Sequence, residues 1–282
     1  MTVVIGTDEA GYGPNLGPLV IGATAWRIDA AEAEAAEAIA AAARDAGGPW
    51  VDSKLVYRGG SGLARLEEAV LASLAVVRDA AAAPVPRAAA VEAVARLAGR
   101  CRDALAGRRV ALEAVDSRVI EPTEFNRGLD AGLTKADLLS RATLDLAAEL
   151  RGRWPGERAA VWCDRHGGRR RYAGLLAERF DIPLVVPEVE AADRSCYELP
   201  GADCRVEFHV GGEARPPVAL ASMTAKYVRE LAMLAFNELW SRRVPGLAPT
   251  AGYPVDAARW RREAAAAVER AGLHWDELWR RV

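Results

Sequence analysis

Two adjacent carboxylates, Asp8 and Glu9, follow the apolar run Thr2 to Ile5 and directly precede a turn containing Gly11, Tyr12, Gly13 and Pro14. Neighbouring acids at a strand end repel each other. A fold that places them there commonly holds Mg2+ or Mn2+ with carboxylates and water. The glycines behind them let backbone N–H groups come close to a ligand. On its own, an Asp-Glu pair reads better as a solvated surface turn. Two further acids separate these readings. Asp164 ends the apolar run Ala160-Val161-Trp162-Cys163, and Glu213 follows the alternating stretch Arg205 to Val210. Acids at strand ends on one edge of a sheet can converge on two cations about 4 Å apart. Such a pair activates a water and stabilises the leaving oxygen of an in-line phosphodiester displacement.

The elements that must position these acids are legible from periodicity. Thr2 to Asp8 and Pro18 to Ile28 read as strands of an antiparallel hairpin, given the short connection between them. Asp29 to Ala46 is almost pure Ala with Glu and Arg, a helix stopped by Gly47-Gly48-Pro49. Helical patterns recur from Gly62 to Asp79 and from Arg87 to Ala106. A strand is expected over Arg109 to Val115, a helix over Thr134 to Leu150, a buried strand over Arg158 to Asp164 and a short helix over Arg170 to Phe180. The apolar run Ile182 to Val186 follows. Arg205 to Val210 alternates as a half-exposed strand. Ala219 to Trp240 reads as a long, centrally packed helix, and Asp256 to Ala271 as a last helix before a Trp-rich end. Strands first, then alternating strands and helices, imply an α/β layered fold.

At 282 residues the chain can bury a substantial core. Its 51% hydrophobic and 27% charged residues describe an ordinary globular protein. A formal net charge of −2 argues against a generally basic nucleic-acid coat but leaves room for a local basic groove. Cys101, Cys163, Cys196 and Cys204 form no CxxC pair, so the expectation is free thiols in a reducing cytoplasm. No signal-peptide pattern opens the sequence, and no run of about 18 apolar residues suggests a membrane span.

The stretch Asp8-Glu9-Ala10-Gly11-Tyr12-Gly13-Pro14, followed by Gly17-Pro18-Leu19-Val20, resembles the opening motif of the type 2 ribonucleases H, ribonucleases HII and HIII. Asp52-Ser53-Lys54 resembles the Asp-Ser-Lys box of that family, and Phe125-Asn126 its Asn-Ile segment. Ala219 to Tyr227, with Ser222 and Lys226, resembles its Ala-Ala-Ser-Ile-x-Ala-Lys/Arg helix, and Ala251-Gly252-Tyr253-Pro254 its late Gly-Tyr segment. The matches run in family order. The resemblance implies an RNase H-like mixed sheet flanked by helices, with additional N-terminal and C-terminal helices. Residues 1–243 would form the catalytic domain, with helical insertions over 29–106, and 244–282 a helical extension packed on it.

The implied activity is Mg2+- or Mn2+-dependent hydrolysis of the RNA strand of RNA–DNA hybrids, or of duplexes with embedded ribonucleotides. The implied ligands of two divalent ions are Asp8, Glu9, Asp164 and Glu213, with Glu188 and Glu190 as rivals to Glu213. Gly11, Tyr12 and Gly13 would read the 2′-hydroxyl, and Tyr253 would stack on the sugar. Tyr12 departs from the family's Arg or Lys, and the Ala-rich helix after Asp29 has no counterpart there. Both departures suggest a divergent branch. The alternatives are an RNase H-fold nuclease of different specificity and a non-catalytic nucleic-acid-binding protein.

Each candidate also has a structural reading. Lys54 fits a phosphate contact or a surface lysine behind a helix cap. Ser222 and Lys226 share a helix face, and Lys226 among apolar neighbours must reach solvent, a carboxylate or a backbone phosphate; the substrate site is the preferred reading for both. Tyr253 fits either a stacking platform or a core cap. Asn126 reads as an ordinary turn residue, and His166 as a solvent-facing loop histidine rather than a proton shuttle. Arg169, Arg170 and Arg171 fit a solvated helix face or a phosphate contact. Trp240, Trp260, Trp275 and Trp279 read as packing for the C-terminal helices.

Overall fold

The computed structural model describes residues 1–50, 62–77 and 91–281. The Asp52-Ser53-Lys54 box, and with it the contact expected of Lys54, lies outside the described residues.

Among the described residues, seven strands form one mixed sheet. They are β1 (Thr2–Ala10), β2 (Leu19–Ile28), β3 (Val110–Ile120), β4 (Arg158–Asp164), β5 (Val186–Glu190), β6 (Arg194–Leu199) and β7 (Cys204–His209). Their spatial order is β3-β2-β1-β4-β7-β6-β5. β1 pairs antiparallel with β2 and parallel with β4, and β4 pairs parallel with β7. The central strands carry near-continuous apolar runs because both of their faces are covered: Val3, Val4 and Ile5 of β1 and Ala159 to Val161 of β4 are wholly buried. β7 keeps a period of two, with Cys204, Val206 and Phe208 buried and Arg205, Glu207 and His209 less so.

Eight helices are described: α1 (Glu32–Asp45), α2 (Gly62–Val76), α3 (Val91–Gly107), α4 (Pro122–Asp130), α5 (Lys135–Gly152), α6 (Ala173–Arg179), α7 (Pro216–Arg243) and α8 (Pro254–Arg270). They lie on both faces of the sheet. On one face Trp26, Ile39, Trp50, Leu66, Leu97, Leu220 and Met223 join α1, α2, α3 and α7 to the strands. On the other, Ile5, Phe125, Leu139, Leu146, Val161, Leu176 and Phe208 join α4, α5 and α6. A third cluster joins the end of α7 to α8 through Trp240, Trp260 and Leu16. There Trp240 and Trp260 meet edge to face at 5.2 Å, and Trp260 and Trp275 at 6.5 Å.

Two glycines let α7 lie directly on the sheet. A Cβ at Gly6 of β1 would stand 2.3 Å from the Pro217 carbonyl carbon, and one at Gly22 of β2 would stand 2.1 Å from the Ala221 oxygen. Only the first half of α7 is central, however. Leu231, Leu234 and Leu239 of its second half are exposed, against the expectation of central packing along the whole helix.

Other sequence expectations also change. β6 carries no clean apolar alternation and was not expected. The apolar run Ile182 to Val186, to which the sequence pattern assigns no element, leads into the exposed edge strand β5. Asn126 is not an ordinary turn residue. It sits 2% exposed in α4, where its Nδ2 donates to the carbonyls of Trp279 (2.8 Å) and Asp276 (3.1 Å). Its Oδ1 accepts from Arg281 N–H at 2.9 Å. Substituting Asn126→Ala leaves these buried groups unsatisfied. The expected loss is about 3 kcal/mol, read by urea unfolding followed through tryptophan fluorescence. A change under about 0.5 kcal/mol would show that water replaces the amide at no cost.

Candidate active site

The parallel pairing of β1 and β4 matches Thr7 with Cys163, so Asp8 and Asp164 leave the carboxyl ends of adjacent strands side by side. Open α/β sheets collect ligands at this end. Glu213 arrives on the short turn after β7, the strand that pairs with the other side of β4. The Gly212 N–H donates to Asp164 Oδ1 at 2.8 Å, which ties that turn to the end of β4. α7 crosses β1 and β2 through Gly6 and Gly22 and so brings Ser222 to hydrogen-bond Asp8. Asp8 Oδ1 also accepts from the Glu9 N–H at 2.8 Å.

The electrostatics of the pocket follow from this crowding. Burial, and next the charge of Asp164, pushes the Asp8 carboxyl up to about 7 against the Ser222 and Glu9 hydrogen bonds, and Glu213 adds to the rise. Burial, then Asp8 and Asp164, holds the Glu9 carboxyl well above its ordinary value, while Lys226 acts the other way. Desolvated like charges within reach of one another have this signature. Glu188 and Glu190 lie elsewhere, on edge strand β5. Glu188 pairs with Arg205 at 3.0 Å, and Glu190 accepts from the Tyr197 hydroxyl at 2.6 Å. Glu213, not either rival, is the acid that acts on Asp8.

Among the described residues, no three acid, histidine or cysteine side chains close into a ready coordination shell. Repelling carboxylates turn toward protein donors instead, as Asp8 and Asp164 do toward the Glu9 and Gly212 amides. The donor set still suits a hard divalent ion, because it is made of oxygens, is desolvated and gains from neutralisation.

A glycine turn follows Asp8 and Glu9, and an aromatic ring stands beside that turn. Gly11 takes φ +85°, and a Cβ there would stand 2.4 Å from Arg229 Nε. The Tyr253 ring, 56% exposed, caps no core; it stands over Gly13, 3.8 Å from where a Cβ would be. Tyr12 packs against the core on the α5 side, and Lys135 Nζ lies 4.2 Å above its ring centroid. A cation therefore accompanies the turn although position 12 carries none. Lys135 was not singled out from sequence, because an N-terminal helix lysine behind the cap Thr134 carries no signal of its own.

The basic run divides. Arg169 pairs with Asp137, and the exposed Arg171 lies 3.6 Å from Glu190, while Arg170 is exposed. His166 overturns its expected place in solvent: it is 1% exposed, with Nδ1 3.0 Å from Ser140 Oγ and edge contacts to Tyr172 and Phe208. Burial, helped by Arg169, lowers it to about 3, so at neutral pH it is an uncharged packing group.

No protein-family model and no curated protein matches the chain. Solved structures do. One is the PCNA:RNase HII complex from Archaeoglobus fulgidus, at 16% identity and a TM-score of 0.48, over 98% of this chain and 93% of that one. Ribonuclease H2 from Pyrococcus horikoshii OT3 is similar at 17% identity and TM-score 0.48, over 98% and 92%. Bst-RNase HIII in complex with Mn2+ is similar at 18% identity and TM-score 0.49, over 99% of this chain and 66% of that one. The acids occupy the ends of β1 and β4 and the turn after β7 of the mixed seven-stranded sheet.

Proposed function

We propose that the chain is a divalent-metal-dependent endonuclease that hydrolyses the RNA strand of RNA–DNA hybrids. The observation that carries this reading is the gathering of Asp8, Glu9, Asp164 and Glu213, far apart in sequence, into one desolvated pocket where their charges oppose each other. These four residues would hold two Mg2+ or Mn2+ ions, which when bound supply activation of the attacking water and neutralisation of the phosphate. The protein's own part is positional. Ser222 orients Asp8, the Gly212 amide orients Asp164, and Lys226 offsets charge at Glu9. The Gly11-Tyr12-Gly13 turn and the Tyr253 ring would hold the ribose beside the acids, with Arg170 and Arg171 available to phosphates. Water oxygen attacks phosphorus as the bond to the ribose O3′ breaks, leaving a 5′-phosphate and a 3′-hydroxyl.

The test is cleavage of end-labelled RNA–DNA hybrid, double-stranded RNA, DNA duplex and DNA carrying one ribonucleotide, each with Mg2+ and with Mn2+. Hybrid or single-ribonucleotide substrate is expected to be cut, and cleavage of none of the four would overturn the reading. Tyr12 favours a second reading, a nuclease of shifted specificity. Under that reading, Tyr12→Arg increases hybrid cleavage by about tenfold, the worth of one added phosphate contact of about 1.4 kcal/mol. No change would mean that Lys135 already supplies the charge.

A further inference from the structure

A buried arginine stands directly behind the glycine turn. Arg280 is 0% exposed, and its Nη2 donates to the carbonyls of Gly11 (2.6 Å) and Pro14 (2.5 Å). Its Nε and Nη1 find no acceptor among the described residues, and its guanidinium lies 5.1 Å from the Phe125 ring centroid. The segment around it is stitched down on two sides. The Arg280 N–H donates to Asn15 O at 2.7 Å, Asn15 Nδ2 donates back to Arg280 O at 3.1 Å, and Leu16 bridges antiparallel to Trp279. On the other side, Asn126 binds the backbone of Asp276, Trp279 and Arg281.

Burying a guanidinium costs several kcal/mol unless its hydrogen bonds return the energy, and two carbonyls return only part of it. Anchoring alone does not need a charge, because the backbone bonds and Asn126 already anchor the segment. What the charge adds lies on the far side of the peptide it grips. A trans peptide points its C=O and N–H in opposite directions. With the Gly11 carbonyl held inward by a cation, the Tyr12 N–H of the same planar unit is directed outward and made a stronger donor.

We propose that Arg280 is a positioning residue for the substrate: it grips the Gly11 and Pro14 carbonyls from inside, so that the backbone N–H of the Gly11-Tyr12-Gly13 turn is presented to the ribose hydroxyl of a nucleic acid lying on the acid pocket. This rests on the nuclease reading for its substrate, and on the Arg280 hydrogen bonds for its mechanism. The segment Trp275–Arg281, whose Arg280 lies 269 residues along the chain from Gly11, thereby becomes part of the substrate site.

The experiment compares wild type, Arg280→Met, Arg280→Lys and Asn126→Ala for three quantities: kcat and KM on hybrid, the binding preference for hybrid over DNA duplex of the same sequence by fluorescence anisotropy, and Mn2+ binding by calorimetry. Arg280→Met is expected to lower kcat/KM by about 100-fold, the scale of a misplaced binding group, chiefly through KM. It should also collapse the hybrid preference while leaving Mn2+ affinity within about twofold. Arg280→Lys restores part of that preference, because an ammonium can reach one or both carbonyls. Asn126→Ala loosens the same segment without touching the turn and keeps the preference. Equal losses for Arg280→Met and Asn126→Ala, with the preference intact in both, would overturn the proposal. Where Arg280→Met does not fold, Arg280→Lys decides: an unchanged KM and preference overturn it, and a partial loss supports it. If wild type binds hybrid selectively but cuts nothing, the nuclease reading fails and the binding ratio still tests Arg280. If wild type shows no ribose preference in either assay, both fail.

Discussion

Asp8→Asn eliminates cleavage and at the same time makes the metal-free protein more stable. The acid pocket is strained by its own charge, and Asp8 meets three other acids there, Asp164, Glu213 and Glu9. Its carboxyl ordinarily titrates at 3.8 and in the fold at about 7, because burial and then Asp164 oppose its ionisation. The folded state therefore holds the proton more tightly than the unfolded chain does. As pH rises from about 3.8 to about 7, the unfolded chain gives up that proton first and stability falls, levelling off above about 7. Asparagine keeps the shape and can still accept from the Glu9 amide, but it carries no charge to desolvate. The two proteins should unfold alike near pH 4 and diverge through that window. Above pH 7 the variant should lead by about 2–4 kcal/mol, following the size of the shift. Scanning calorimetry over pH reads this difference. Mn2+ should raise the Tm of wild type and not that of Asp8→Asn, and cleavage should fall by about 1,000-fold or more, since several kcal/mol of charge stabilisation are lost. If the asparagine protein were the less stable of the two at pH 8, the pocket would not be a charge cluster waiting for cations.

A second large effect is expected from one added methyl group. Gly22 lies opposite Asp8 across the β1–β2 ladder, and α7 rests on it. In Gly22→Ala the new carbon would meet the Ala221 oxygen at 2.1 Å, the Ala221 carbonyl carbon at 2.9 Å and the Ala225 nitrogen at 3.1 Å. All three are backbone atoms of a helix packed over two strands, so no side chain can turn aside. The helix must lift, and with it Ser222, which orients Asp8. We expect a loss of about 3 kcal/mol or more, at or above the top of the usual range for overpacking. Activity per folded molecule should fall as well. Gly99→Ala provides the contrast: it lies inside α3 with nothing within 4 Å of the added carbon, and it should gain about 0.5–1 kcal/mol through helix propensity. Urea unfolding of both proteins reads the comparison. A tolerated Gly22→Ala would mean that the helix does not bear on the sheet.

How much of this site was legible in the sequence depended on how local its signals were. Asp8, Glu9 and Asp164 announce themselves because each ends an apolar run that can only be a buried strand. β1, β2, β4 and β7 follow from short apolar or alternating runs, and α7 from a longer helical pattern. β6 did not, because its burial comes from neighbours in the sheet and its own residues mix charged, polar and aromatic types. His166 and Asn126 were misread for a related reason. Polar residues beside glycines or after proline look like loop residues. Here a serine 26 positions away and a segment about 150 positions away supply their hydrogen bonds. Lys135 over Tyr12 and Arg280 behind Gly11 carry no local mark at all.

Period-two and helical patterning and acids at strand ends are written over consecutive residues, so the strands other than β5 and β6, most of the helices and the chemical type of the candidate site can be read from the sequence alone. Which glutamate faces Asp8, which cation accompanies the turn and what holds that turn from behind were set by the folded chain. Those outcomes depend on sheet order and on contacts between segments more than a hundred residues apart. Through-space charge and packing are set by distance, and distance between remote segments is a property of the fold.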